Sequence, residues 1–133
     1  MAELTEKCRE LIDAPNFAYL ATLDPDGAPQ VSPVWIDRDG DTIRVNTATG
    51  RTKDRNMRND PRVAISIADR NDSYVKSDIR GRVVDIVEGG DEPNDHIDAL
   101  ARKYTDADSY QGHKPGEDRV IFLIEPLRVA DRA

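Results

Sequence analysis

The sequence is short of several residue types, and each shortage excludes a class of protein. A single cysteine, Cys8, rules out an intrachain disulfide framework and fits a reducing compartment. Only two histidines are present, His96 and His113, and with Cys8 they make no metal-ligand spacing, so no metal is expected. Long apolar runs are missing as well. The longest, Val120–Ile124, is strand-sized and well short of the roughly 18 residues a membrane helix needs. Near the start, Glu3, Glu6, Lys7, Arg9 and Glu10 leave no apolar stretch for a signal peptide. Positive charge is in deficit: Lys+Arg 19 against Asp+Glu 26 gives −7. That balance argues against broad nucleic-acid or anionic-membrane binding, which needs clustered positive charge. The expectation is a cytoplasmic protein with neither partner.

Strong protein catalysts are lacking too. Cys8 falls on an apolar helical stripe, which makes it core. Ser32 lies in a strand without a Gly-x-Ser-x-Gly elbow. The acidic pairs Asp24/Asp26 and Asp37/Asp39 are turn residues. His96 lies off the stripe of Ile97, Leu100 and Ala101, which predicts a solvated imidazole, and His113 stands in a polar loop. No catalytic residue is assigned, and any redox chemistry must belong to a bound cofactor.

What is present is enough for one domain with one core over residues 1–133. Leu4, Cys8, Leu11 and Ile12 form a helical stripe ending before Pro15. Phe17–Leu23 reads as a strand, Asp24-Pro25-Asp26-Gly27 as a turn, and Ala28–Ile36 as a second strand closed by Asp37–Gly40. With Thr42–Thr47 these predict a three-stranded antiparallel meander. A short polar helix over Arg51–Asn59 stops at Asp60-Pro61, and Arg62–Ala68 alternates as a strand. In the long strand Ser73–Val87 the apolar parity shifts near Gly81, which predicts a bulge. Pro93 opens a helix carrying Ile97, Leu100, Ala101 and Tyr104, and Arg119–Ile124 reads as a strand buried on both faces. The tally is about six strands and three helices without regular alternation. A mainly β (α+β) fold follows, a small closed or half-open barrel with helices at its rim.

Two segments stand out chemically. In Asn46-Thr-Ala-Thr-Gly-Arg-Thr-Lys-Asp-Arg-Asn56 a strand ends in polar side chains and a helix opens with Arg51, Lys53 and Arg55. Helix N-termini attract anions, and cations in a first turn oppose the helix dipole unless an anion compensates them. A phosphate site and a solvated helix with ordinary ion pairs both fit this pattern, and no P-loop is present. The other segment is Ala28–Ile36, where Pro29 and Pro33 cannot donate to a ladder. Such a strand is either a protected edge or one whose free backbone meets a ligand.

The run Phe17–Trp35 resembles the opening of the pyridoxamine 5′-phosphate oxidase-like split-barrel superfamily. Val45–Ala64, Ile79-Arg-Gly-Arg-Val83 and His96–Tyr104 resemble its branch using the deazaflavin coenzyme F-420. The resemblance implies a six-stranded antiparallel split β-barrel, homodimeric, with cofactor sites at the interface. It implies that Arg51 and Lys53 hold the cofactor's phosphate, helped by Asn56. Gln30, Val31, Ser32, Pro33 and Val34 would run beside the ring, and Asn46, Thr47 and Ala48 would touch ring or ribityl chain. The implied activity is hydride transfer from reduced coenzyme F-420 to a small organic substrate. An FMN-dependent oxidoreductase or a non-catalytic flavin or deazaflavin binder are the alternatives on the same fold. The paired-arginine C-terminal extension of vitamin B6 oxidases is absent, and Asp54 is expected to weaken the local positive field.

Overall fold

A computed structural model describes residues 2–132. In chain order the elements are α1 (Glu6–Asp13), β1 (Ala18–Leu23), β2 (Pro29–Val34), β3 (Ile36–Asp39) and β4 (Thr42–Ala48). Then come α2 (Thr52–Asn59), β5 (Arg62–Asp69), β6 (Asp72–Glu88), α3 (Glu92–Tyr104) and β7 (Arg119–Arg132). All strand pairs are antiparallel, and the single sheet runs β2-β1-β5-β6-β7-β4-β3.

That order makes the sheet a split barrel. Its two edge strands, β2 and β3, are consecutive in the chain and separated by one residue, Trp35. The sheet therefore curls until its opposite edges are joined through Trp35, and the seam between them is the split. The expected six strands become seven because Ala28–Ile36 is not one strand. Up to Val34 it pairs with β1, and from Ile36 onward it pairs with β4. The expected meander is corrected accordingly: hairpins β1–β2 and β3–β4 lie at opposite ends of the sheet.

The break is held from outside the ladder by α3. Tyr104 Oη accepts from Ile36 N at 3.3 Å and donates to the carbonyl of Asn16 at 2.8 Å. Lys103 Nζ donates to the carbonyl of Ile36 at 2.7 Å and also to that of Ile12. Backbone groups that a continuous strand would pair are thus met by two side chains of one helix.

Alternation places Leu20, Ile43, Val45, Ile65, Ile67, Ile79, Phe122 and Ile124 in the interior, all nearly inaccessible. Helix α1 covers one side with Leu4, Cys8, Leu11 and Ile12 around it, and its start is capped by Thr5 Oγ1, which accepts from Cys8 N at 3.0 Å. In β6 the register shifts between Arg80 and Gly81 and again between Val83 and Asp85, where the parity switch predicts a bulge. Gly81 is required by close approach. A Cβ there would lie 2.7 Å from Ile124 Cγ2 and 3.1 Å from the Glu125 carbonyl oxygen. No helix is long and apolar enough to cross a membrane among the described residues.

Candidate functional site

The seam opens into a cavity of about 280 Å³. Pro33, Val34 and Trp35 form one wall at the strand break, and Asn46 and Thr47 another, from the end of β4. Arg51 and Lys53 enter from the start of α2, and Arg119 from the first position of β7. Phe17, Ile97 and Tyr110 complete the lining. Hence two separate signals in the sequence, the proline-bearing strand and the cationic helix start, meet at one place.

The sequence-predicted residues divide. Pro33, Val34, Asn46, Thr47, Arg51 and Lys53 line the cavity, and Ser32 adjoins it by accepting from Lys53 Nζ at 3.0 Å. Gln30, Val31, Ala48 and Asn56 are not on its wall. Gln30 is half-buried beside Thr22. Val31 belongs to an outer groove with Tyr19, Ala21 and Ala64. Ala48 is buried and paired with Arg119 across the β4–β7 ladder. The buried amide of Asn56 donates to Thr22 Oγ1 at 3.1 Å and Asp24 Oδ1 at 2.9 Å, which fastens α2 to the β1–β2 hairpin. Asp54, expected to weaken the positive field, does not line the cavity. It is buried, accepts from Gly50 N at 2.9 Å and pairs with Arg58 Nε at 2.8 Å.

The charge on the wall is unbalanced. Lys53 is half-buried and has no carboxylate partner among the described residues, only Ser32. Burial first, and then the like charges of Arg51 and Arg119, push its amine below the ordinary lysine range. Arg51 sits at the rim with its nearest carboxylate, Glu117, 3.9 Å away. It occupies the N-cap position of α2 yet makes no side-chain cap bond. The N–H groups of Thr52, Lys53 and Asp54 have no hydrogen-bond partner among the described residues. Thr47 Oγ1 is buried without a partner, the only such side-chain atom among the described residues. A buried hydroxyl left unpaired costs about 1–3 kcal/mol. Together these groups supply donors and positive charge and ask for an anion with acceptor oxygens.

The rest of the lining is flat and apolar. Trp35 stacks on Tyr104 at 5.4 Å with a 6° interplanar angle, and Tyr110 meets Trp35 edge-on at 6.1 Å. Phe17 stacks on the far reach of the same cluster, 5.8 Å from Tyr104. Sequence reasoning missed Phe17, Trp35, Ile97, Tyr110 and Arg119 as lining residues. Only strand pairing shows that Arg119 faces Ala48, and Tyr110 comes from an irregular segment with no period to read.

His96 also differs from expectation. It is 5 % exposed, not solvated. On a helical wheel it lies only about 40° from Leu100, on the flank of the apolar stripe and not opposite it. Its Nε2 lies 2.9 Å from Asp37 Oδ1, and its Nδ1 is 3.1 Å from Asn46 Nδ2. Among the described residues, no three His, Cys, Asp or Glu side chains are placed to hold a metal ion.

Comparison with known proteins agrees with this arrangement. A solved structure named F420 reductase has a TM-score of 0.81 and 33% identity, covering 96% of this chain and 98% of its own. A conserved hypothetical protein from Mycobacterium tuberculosis gives 0.75 and 22% over 97% of this chain and 84% of its own. A pyridoxamine 5′-phosphate oxidase homologue from Listeria innocua gives 0.62 and 18% over 86% of each chain, a likeness of fold alone. The family described as pyridoxamine 5′-phosphate oxidase matches residues 4–133. A split barrel whose seam carries a cationic, flat-walled cavity, matched over nearly its whole length, belongs to that family.

Proposed function

We propose that the protein is an oxidoreductase that binds the deazaflavin coenzyme F-420 in the seam cavity and reduces a small organic substrate. The observation that carries this reading is the cation pair at the start of α2, of which Lys53 has no carboxylate partner among the described residues. Lys53 is half-buried without a counter-charge, and Arg51, whose carboxylate neighbour Glu117 lies 3.9 Å away, stands beside free helix N–H groups. A phosphoryl group satisfies all of these at once, and Thr47 Oγ1 gains a partner from the chain that follows it. The wall of Pro33, Val34 and Trp35 suits the face of a tricyclic ring. The likeness to the F420 reductase, at 33% identity, favours a deazaflavin over FMN.

In its reduced form the coenzyme supplies a hydride. The chain's own work is to hold and orient it: Arg51 and Lys53 at the phosphate, Asn46 and Thr47 along the polar chain, the strand break against the ring. No side chain at the cavity is an activated nucleophile, so orientation and exclusion of water are the protein's contribution.

The site is completed by a second copy of the chain. Tyr19 and Val31, 53% and 58% exposed, project from the outer face of β1 and β2, and Leu127, 49% exposed, adds to the same apolar surface on β7. Covering them would remove an apolar patch of the kind that marks an interface.

The test is a paired titration of the purified protein with coenzyme F-420 and with FMN. Micromolar binding of the deazaflavin and none of FMN supports the proposal. The reverse result assigns FMN, and binding of neither sinks the cavity assignment.

A further inference from the structure

We propose that His96 is a positioning residue for this cavity: through the amide of Asn46 it seats the guanidinium of Arg119 at the anion wall. The inference rests on the cavity reading above, and it draws on a buried chain of polar groups that crosses four elements.

Asn46 sits at the centre. Its Nδ2 donates to the carbonyl of Pro93 at 2.8 Å, and its Oδ1 accepts from Arg119 Nε at 2.9 Å. A carbonyl can only accept and a guanidinium can only donate, so both contacts impose the same orientation on the amide. The second N–H of Nδ2 then points at His96 Nδ1, 3.1 Å away. That ring nitrogen must be an unprotonated acceptor. The ring proton therefore lies on Nε2, which donates to Asp37 Oδ1 at 2.9 Å. Asp37 is itself gripped by Arg44 through two bonds of 2.9 and 2.7 Å.

His96, Asn46 and Arg119 are 5%, 6% and 5% exposed, so water does not substitute freely for any of these bonds. Arg119 donates through Nη1 to Glu117 Oε1 at 3.1 Å and lies over the Tyr110 ring at 5.2 Å. Its Nη2 makes no hydrogen bond among the described residues, and the residue lines the cavity with Lys53 and Arg51. It is the third cation of the wall, and its only neutral hydrogen-bond acceptor among the described residues is the amide that His96 orients.

A proton on Nδ1 of His96 would face the Nδ2 hydrogens of Asn46, donor against donor. Relief requires the amide to turn, and a turned amide presents Nδ2 to Arg119 Nε. Protonation at one end thus unseats the guanidinium at the other. The charged groups around the imidazole are Asp37 from β3, Arg44 behind it on β4, Arg119 from β7 with Glu117 beyond, and Lys103 of its own helix, which senses Asp37. Asp37 balances the charge of a protonated ring locally, so the effect transmitted to the cavity is the loss of Arg119's seat.

Two measurements test this. In the cofactor-free protein, ¹⁵N NMR should find the ring proton of His96 on Nε2, and the Arg119 Nε–H signal should move in His96→Leu but hold in His96→Asn. A ring proton on Nδ1, or an Arg119 signal indifferent to His96→Leu, overturns the proposal. The second measurement is a binding titration of the same proteins with coenzyme F-420. His96→Asn keeps an acceptor near the Nδ1 position and cannot be protonated. At pH 8 it should bind within about twofold of the wild type, whereas His96→Leu should bind about tenfold more weakly. Full affinity in His96→Leu overturns the proposal. Should the wild type bind no phosphorylated ligand, the function proposed above fails, and the NMR coupling still decides the role of His96.

Discussion

Replacing Lys53 by methionine should change affinity and stability in opposite directions. The side chain is half-buried against Ser32 without a carboxylate among the described residues, and burial and two arginines push its amine below the ordinary value of 10.5. In the empty protein the ammonium is therefore held at a cost. Between its native value and about 10.5 the unfolded chain binds more protons than the native one, so stability rises with pH across that window. Lys53→Met removes the penalty and keeps the apolar stem, so the cofactor-free melting temperature should hold or rise. With an anion present the same ammonium makes a charge-assisted bond of about 1.5–3 kcal/mol, so its loss should raise Kd on the order of 10–150-fold. Fluorescence titration with coenzyme F-420 and thermal melts of the empty protein measure the two effects separately. An unchanged Kd refutes the anion assignment. A melting temperature lowered by several degrees shows instead that Lys53 serves the fold.

Four further outcomes are expected. Asn56→Ala should lose about 1–3 kcal/mol in urea unfolding, because it unpins Thr22 and Asp24, yet change cofactor affinity far less than Lys53→Met does. Gly81→Ala should destabilise by about 1–3 kcal/mol in the same assay, since its Cβ would meet Ile124 Cγ2 at 2.7 Å. Burial pushes Lys103 down to about 8, against the pull of Asp37 and Asp13, so its contribution to stability rises with pH from about 8 towards 10.5. Burial pushes Tyr104 up to about 12, so above its ordinary 10.0 the native state keeps a proton the unfolded chain loses and stability falls; alkaline urea melts should show the rise and then the fall, with Lys103→Met flattening the first and Tyr104→Phe the second. Val31→Glu, on the exposed outer face, should shift the protein from dimer to monomer in sedimentation velocity; a mass unaffected by it would count against a second copy on that face.

Local chemistry carried much of the reading from sequence. Alternation in Arg62–Ala68, the parity switch around Gly81 and the polar run before Asp60-Pro61 all report short-range sterics, and each element lies where those signals put it. The seam did not show, because Ala28–Ile36 has an unbroken β composition and the break at Trp35 arises from a choice of partner, β1 before it and β4 after it. The same holds for the site. Arg51 and Lys53 announced themselves as cations where the helix dipole opposes them. Arg119 carried no such mark, since its neighbours Asn46 and Ala48 are more than 70 residues away in the chain. His96 was misjudged because a stripe's flank is as buried as its centre when the helix packs against Asn46 of β4 and Asp37 of β3. Asn56 was drawn into the site by its place in the motif, although its amide serves the hairpin.

The one-residue link at Trp35 also bears on how the barrel behaves when filled. Pro33 and Val34 are laddered to β1 on one side of the seam, Asn46 and Thr47 to β7 on the other, and no ladder bonds join β2 to β3 among the described residues. A molecule gripping both sets of residues is thus a clasp across the unzipped line of the cylinder. Its departure should loosen β2 and β3 ahead of every other strand, which amide exchange at those two edges would register.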